Sequence, residues 1–213
     1  TISGPVTVDV TAGQTETLSG KITLTATGTL ANPIVIQKSG AGANPKLISY
    51  TGTVATPSVI ADGFFVLAGS DYVTIDGLDL EESAANTTAT TVMEFGYGLF
   101  KMSVTDGCQY NTIKNCTITL NRVQIAGWAA PGHQGSTGIS VINSLHTASA
   151  PLVITAVSGS NSYNKFYSNT IQNCNNAITI NGRSTAAIAA PYTFTAGGFG
   201  DTGNDIGGTS AAT

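Results

Sequence analysis

The chain has 213 residues, room for one or two ordinary domains, and only 9% of them are charged, where soluble proteins carry roughly 25%. Hydrophobic residues make up 41% and the formal net charge is −4, a balance that excludes a disordered chain. Six lysines and two arginines are scattered along the sequence, so no clustered basic face for nucleic acid is expected.

Thr (32), Gly (25) and Asn (15) dominate where a helical protein would carry Glu, Lys, Ala and Leu, which favours strands. No stretch approaches the roughly 18 uninterrupted apolar residues of a spanning helix, and Thr1 does not open a charged-then-apolar leader. No membrane span is therefore expected, and any signal peptide lies outside this sequence. Cys108, Cys116 and Cys174 are an odd set without CxxC spacing; they read as free thiols used as small hydrophobes.

In chain order, Val6, Val8 and Val10 alternate with Thr7 and Asp9, and Ile22 and Leu24 flank Thr23. Such period-two patterns mark strands with one buried face. The runs Pro33-Ile34-Val35-Ile36, Lys46-Leu47-Ile48-Ser49-Tyr50 and Phe64-Phe65-Val66-Leu67 follow, each bounded by turn-forming residues. Glu16-Thr17-Leu18 and Ser83 to Met93 are the places where a helical turn is expected.

The later segments repeat. Tyr72-Val73-Thr74-Ile75-Asp76-Gly77-Leu78-Asp79-Leu80 resembles Tyr110-Asn111-Thr112-Ile113-Lys114-Asn115-Cys116-Thr117-Ile118, 38 positions on, and both resemble Tyr163-Asn164-Lys165-Phe166-Tyr167-Ser168-Asn169-Thr170-Ile171. A fourth copy opens at Gly203-Asn204-Asp205-Ile206. In a second register, Ile139-Ser140-Val141 matches Ile178-Thr179-Ile180, and Ala150-Pro151-Leu152-Val153-Ile154-Thr155 matches Ala190-Pro191-Tyr192-Thr193-Phe194-Thr195. Strand repeats without hairpin signals favour a solenoid over propeller blades.

The Asn-x-Ile-x-Asn-Cys-x-Ile run at Asn111 to Ile118, its looser copy at Asn164 to Ile171, and Gly28-Thr29-Leu30-Ala31-Asn32-Pro33-Ile34-Val35-Ile36 resemble the right-handed parallel β-helix of the pectin-lyase-like superfamily. The resemblance implies an all-β fold, a right-handed parallel β-helix (solenoid) with about 40-residue turns and long loop insertions. Residues 1–62 are expected to hold an N-terminal cap and first turns, and 63–213 further turns truncated at the C-terminal end. Polysaccharide lyases and secreted or cell-surface bacterial proteins are the functions it implies.

In such a stack, Val73, Ile75, Leu78 and Leu80 should face inward, continued by Ile113, Cys116, Ile118, Phe166 and Ile171. Asn111, Asn164 and Asn204 align and are expected to form an amide ladder, and Tyr72, Tyr110 and Tyr163 an outer aromatic file. Few charges are expected because like charges would repel at ladder spacing.

The candidate chemistry is sparse. Asp76, Asp79 and Glu81, in the densest acidic cluster, offer oxygens for Ca²⁺. Lys114, Lys165, Arg122, Arg183, His133 and His146 are the bases available to a lyase, but none sits in a catalytic motif, and no catalytic residue is assigned. Ala84 to Gly98 and Asn121 to Thr137 are expected to emerge as insertions at one edge, presenting Phe95, Tyr97, Arg122, Trp128 and His133 to a polysaccharide or cell-surface glycan.

Two functions follow. One is a noncatalytic module of a large secreted or cell-surface bacterial protein, adhesin-like or glycan-contacting, with further β-helix turns or another chain at the C-terminal end as partner. The other is the N-terminal part of a polysaccharide lyase or other carbohydrate-active enzyme.

Overall fold

The computed structural model describes residues 2–53, 61–122, 136–148, 152–182 and 199–207. Its strands follow one another in a fixed rotation. β1 (Val6–Thr11), β2 (Thr15–Thr17) and β3 (Ile22–Leu24) make a first circuit, and β4 (Ile34–Ser39), β5 (Lys46–Ile48) and β6 (Gly63–Ala68) a second. The third is β7 (Val73–Asp76), β8 (Asp79–Glu81) and β9 (Phe95–Lys101); the fourth is β10 (Thr112–Lys114), β11 (Thr117–Thr119) and β12 (Thr137–Leu145). The fifth holds β13 (Lys165–Tyr167), β14 (Thr170–Gln172) and β15 (Asn176–Asn181), and β16 (Asp205–Ile206) opens a sixth.

The first strands of the circuits form one sheet, ordered β1-β4-β7-β10-β13-β16; the second strands form another, and the third strands a third. All of these pairings are parallel. The chain is thus all-β, with three stacked parallel sheets, as in a β-helix or solenoid. Ile36 pairs with Ile75, Ile75 with Ile113, Ile113 with Phe166 and Phe166 with Ile206, so one column of side chains runs through the first sheet. The longest step, from Ile113 to Phe166, contains the one helical element among the described residues, a single 3₁₀ turn at Val157–Gly159. No described helix is long and apolar enough to cross a membrane, a statement that does not extend to β-barrels.

Short strands with one apolar residue explain the inner wall. Ile113 in β10, Ile118 in β11 and Phe166 in β13 are each the buried centre of a three-residue strand flanked by half-buried neighbours. They join Val73, Ile75, Leu78, Leu80 and Cys116 in one core cluster, with Ile171 packed against it. Burying such a side chain contributes about 1.5–3 kcal/mol, so the core rather than charge holds the circuits together.

The corners repeat as well. Gly77, Asn115 and Ser168 link the first sheet to the second with φ of 72°, 56° and 55°, and Tyr72, Tyr110, Tyr163 and Gly203 enter the first sheet with φ of 52°, 58°, 61° and 65°. The left-handed conformation costs an L-residue roughly 1–2 kcal/mol, so a non-glycine side chain there needs compensation. Tyr72 stacks on Tyr110 at 4.8 Å and Tyr110 on Tyr163 at 4.9 Å, within 12° of parallel. Gly203 closes the file, because a Cβ there would sit 2.5 Å from the Tyr163 ring.

The third sheet differs from the sequence-based expectation. Ala84 to Gly98 is not a simple insertion, for it runs into β9; of Asn121 to Thr137, residues 123–135 lie outside the described residues and Thr137 opens β12, and both strands are buried on both faces. Phe65, Tyr97, Leu99, Ile139 and Val141 face the main core, while Val66, Ala68, Phe95, Phe100 and Ile142 form a second cluster. Double burial removes the alternation that marks a strand. The helical turn expected at Glu16-Thr17-Leu18 is likewise a strand, since Glu16 pairs with Leu47 in the second sheet; at Ser83 to Met93 there are turns and no helix. Cys108 and Cys116 are free and buried, and Cys174 is free and half-buried. Of the repeat at Ala150 to Thr155, residues 152–155 form no strand; its copy from Ala190 to Thr195 lies outside the described residues.

Candidate functional site

The polar side chains at the corners share one task. Asn111 Oδ1 accepts the backbone N–H of Val73 at 2.9 Å, Asn164 Oδ1 that of Asn111 at 3.1 Å, and Asn204 Oδ1 that of Asn164 at 2.9 Å. Each amide also donates to a carbonyl ahead of the strand below: Asn111 to Ser70, Asn164 to Cys108 and Asn204 to Asn161. Asn111 and Asn164 are fully buried, where an unmet backbone group would be costly.

Carboxylates do the same work elsewhere. Asp71 accepts the N–H of Gln109 at 2.7 Å and Asp79 that of Thr117 at 2.7 Å. Glu82, 4% exposed, accepts from Met93 and Asn121, both at 2.6 Å. Burial pushes Glu82 up to about 7 and Asp71 up to about 6, against the downward pull of those N–H groups.

The densest titratable group lies where the chain enters the third sheet. Asp62 and Glu94 immediately precede β6 and β9, and the pairing of Gly63 with Phe95 sets them one above the other. Glu94 Oε2 accepts the N–H groups of Ala61 and Asp62, the latter at 3.0 Å. Asp62 Oδ2 accepts from Thr53 N at 2.7 Å, while Tyr50 Oη approaches Asp62 Oδ1 at 3.5 Å. Lys21 donates to the Ala61 carbonyl at 2.8 Å, with its ammonium 5.9 Å from the Phe95 ring centre. Burial pushes Glu94 up to about 7 and Tyr50 up to about 12, and lowers Lys21 from the usual lysine range.

A carboxyl titrating near neutrality beside an ammonium and a phenol has the proton-transfer chemistry of a general acid or base. Here those groups also tie Ala61 and Asp62 to the neighbouring circuits, through Lys21 and Glu94, and hold Thr53 and Gly63 within their own. Sequence reasoning passed over this group. The signal was an acid directly before each of two aligned strands, visible only once Phe65 and Tyr97 are known to pair.

The residues expected to bind metal are otherwise engaged. Asp76 pairs with Lys114 at 3.0 Å and accepts from Asn115 at 2.6 Å. Asp79 also accepts from Asn44 at 2.8 Å, and Glu81 pairs with Lys46. Among the described residues no three His, Cys, Asp or Glu side chains gather as a metal site.

Of the proposed glycan residues, Phe95, Tyr97 and Arg122 are described, and the two aromatic rings are buried. Tyr97 is 1% exposed, tilted against Phe65 in the core, and its hydroxyl donates to the Leu78 carbonyl at 2.6 Å. Phe95 is fully buried against Phe100. Neither ring has a face open to a sugar, because both belong to the doubly buried β9. Arg122 is exposed; Trp128, His133 and Arg183 lie outside the described residues. A polar cavity of about 230 Å³ opens instead at the first corner, lined by Gln37, Lys38, Asn44, Asp76, Gly77 and Asn115.

Comparison of the chain with protein-family models, with curated proteins and with solved structures gave no match in any of the three.

Proposed function

We propose that the chain is a noncatalytic module of a large secreted or cell-surface bacterial protein, a right-handed parallel β-helix of about 40-residue turns resembling the pectin-lyase-like superfamily. It serves as a rigid, adhesin-like stalk that can contact glycans along its side. The observation that carries this reading is the set of side-chain bridges from one circuit to the next, at the entry to the first sheet and at the corners after it. Bending or shearing the stack would open buried hydrogen bonds, each costly to leave unmade. The amide-lined cavity at Asn44 and Asn115 offers donors and acceptors suited to sugar hydroxyls.

The corner of Lys21, Tyr50, Asp62 and Glu94 favours a second reading, part of a polysaccharide lyase or other carbohydrate-active enzyme. Incubation with a panel of acidic polysaccharides, followed by ultraviolet absorbance of unsaturated products, separates the two. The stalk reading expects no product from any substrate. Product formation that disappears in Glu94→Gln would replace it with the enzyme reading.

A further inference from the structure

β9 ends on a lysine whose charge has no outlet. Lys101 is fully buried and its Nζ has no hydrogen-bond partner. It faces Asp201, whose side chain is 2% exposed, with Nζ 3.7 Å from Oδ1, beyond hydrogen-bond distance. Asp201 Oδ1 accepts the backbone N–H of Asn161 at 2.7 Å, while Oδ2 has no partner. An ion pair of this kind carries the desolvation cost of two charges without the hydrogen bonds that offset it.

We propose that Lys101 and Asp201 are a self-modification site, joined by an intramolecular isopeptide bond between Nζ and Cγ. The Nζ lone pair of the neutral amine attacks Cγ of the protonated carboxyl, and the C–N bond forms. The Cγ–Oδ2 bond then breaks, one Nζ proton passes to the departing hydroxyl, and a water molecule leaves. No oxidant, metal or cofactor enters the balance.

Three features of the site serve this step. Burial lowers Lys101 from the usual lysine range and raises Asp201 from the usual carboxylate range, which favours the neutral amine and neutral acid that condense. The Asn161 N–H already sits on Oδ1, the oxygen on which negative charge develops during attack. The buried setting holds the two groups together and excludes the water that would favour the separated ions. In the product Oδ1 keeps its bond to Asn161, and both unpaired charges are gone. The bond ties the end of the third circuit to the segment leading into β16, with the fourth and fifth circuits between the two residues.

The test is the intact mass of the whole chain under denaturing conditions, with peptide mapping. The expected mass is one water below that of the sequence, with a branched peptide holding both Lys101 and Asp201. Lys101→Met and Asp201→Ala should each restore the full mass. Asp201→Asn should form the same bond by losing ammonia instead of water. A wild-type chain at full mass, with Lys101 and Asp201 recovered in separate linear peptides, overturns the proposal. So does a water loss that persists in Lys101→Met, which would mark dehydration elsewhere. The wild-type measurement decides even if the variants fail to fold.

Discussion

Replacing Asn111 by Ala tests whether the amide ladder holds the circuits together. The substitution strips the Val73 N–H and the Ser70 carbonyl of their bonds to the Asn111 side chain. Both residues are fully buried, so water cannot step in. An orphaned buried backbone group costs about 1–3 kcal/mol, and two of them give a loss of about 4 kcal/mol. The acceptor above is spared part of the damage, because Asn164 Oδ1 keeps the Asn111 backbone N–H at 3.1 Å. Equilibrium urea unfolding followed by circular dichroism should show a lower midpoint with an unchanged slope, and the Val73 amide should exchange faster with solvent. Asn204→Ala should cost less, since its bonds are only part-buried. A loss below about 1 kcal/mol in Asn111→Ala, with Val73 exchange unaltered, would refute the reasoning.

Stability should fall as pH rises from about 5 to about 8. Glu82 and Glu94 have folded values of about 7 against an ordinary 4.5, so the stability of their neutral forms is complete below the ordinary value and is lost as pH passes the folded one. For the buried Glu82 the difference is on the order of 3 kcal/mol, and Glu82→Gln should flatten part of the slope in a thermal-melting series. Gly96→Ala should destabilise by about 1–3 kcal/mol, because its Cβ would meet the Gly138 carbonyl at 2.6 Å and Ile118 at 2.8 Å; denaturant titration measures this. Cys174 should be alkylated first in the native protein at mildly alkaline pH, read by mass spectrometry. Burial holds Cys108 near about 12 and Cys116 near about 11, out of thiolate range.

The first two sheets were legible because the short strands β8, β10, β11 and β13 each bury one residue between two half-buried neighbours, leaving a periodic trace such as Thr112-Ile113-Lys114. In the third sheet Ile22-Thr23-Leu24 and the Ile139/Ile178 repeat left such a trace, but β9 did not. In Phe95-Gly96-Tyr97-Gly98-Leu99-Phe100 both faces are buried, so its aromatic residues resembled a ligand-binding loop while in fact filling two cores. The acidic corners were illegible for another reason. Glu94 and Asp201 take their meaning from groups 33 and 40 positions away, the N–H of Ala61 and that of Asn161, and single-sequence patterning carries no record of such partners. Asp76 to Glu82 looked like a cation site because adjacency in sequence is visible, whereas the lysines and amides that occupy those oxygens come from other circuits.

The inter-circuit bonds also have a direction. The ladder amides Asn111, Asn164 and Asn204 reach back toward earlier circuits, whereas Asp71, Asp79 and Glu82 of the third circuit reach forward to the fourth. The seam between those two circuits is therefore fastened from both sides, as is the one between the second and third, where Asn44 and Lys46 reach forward to Asp79 and Glu81 and Glu94 reaches back to Asp62. Loss of a terminal circuit leaves both seams intact, so fraying should advance inward and stall at them. These seams are where a newly made chain would find its first mutually satisfied layers, making the second to fourth circuits the natural seed from which the rest of the coil grows.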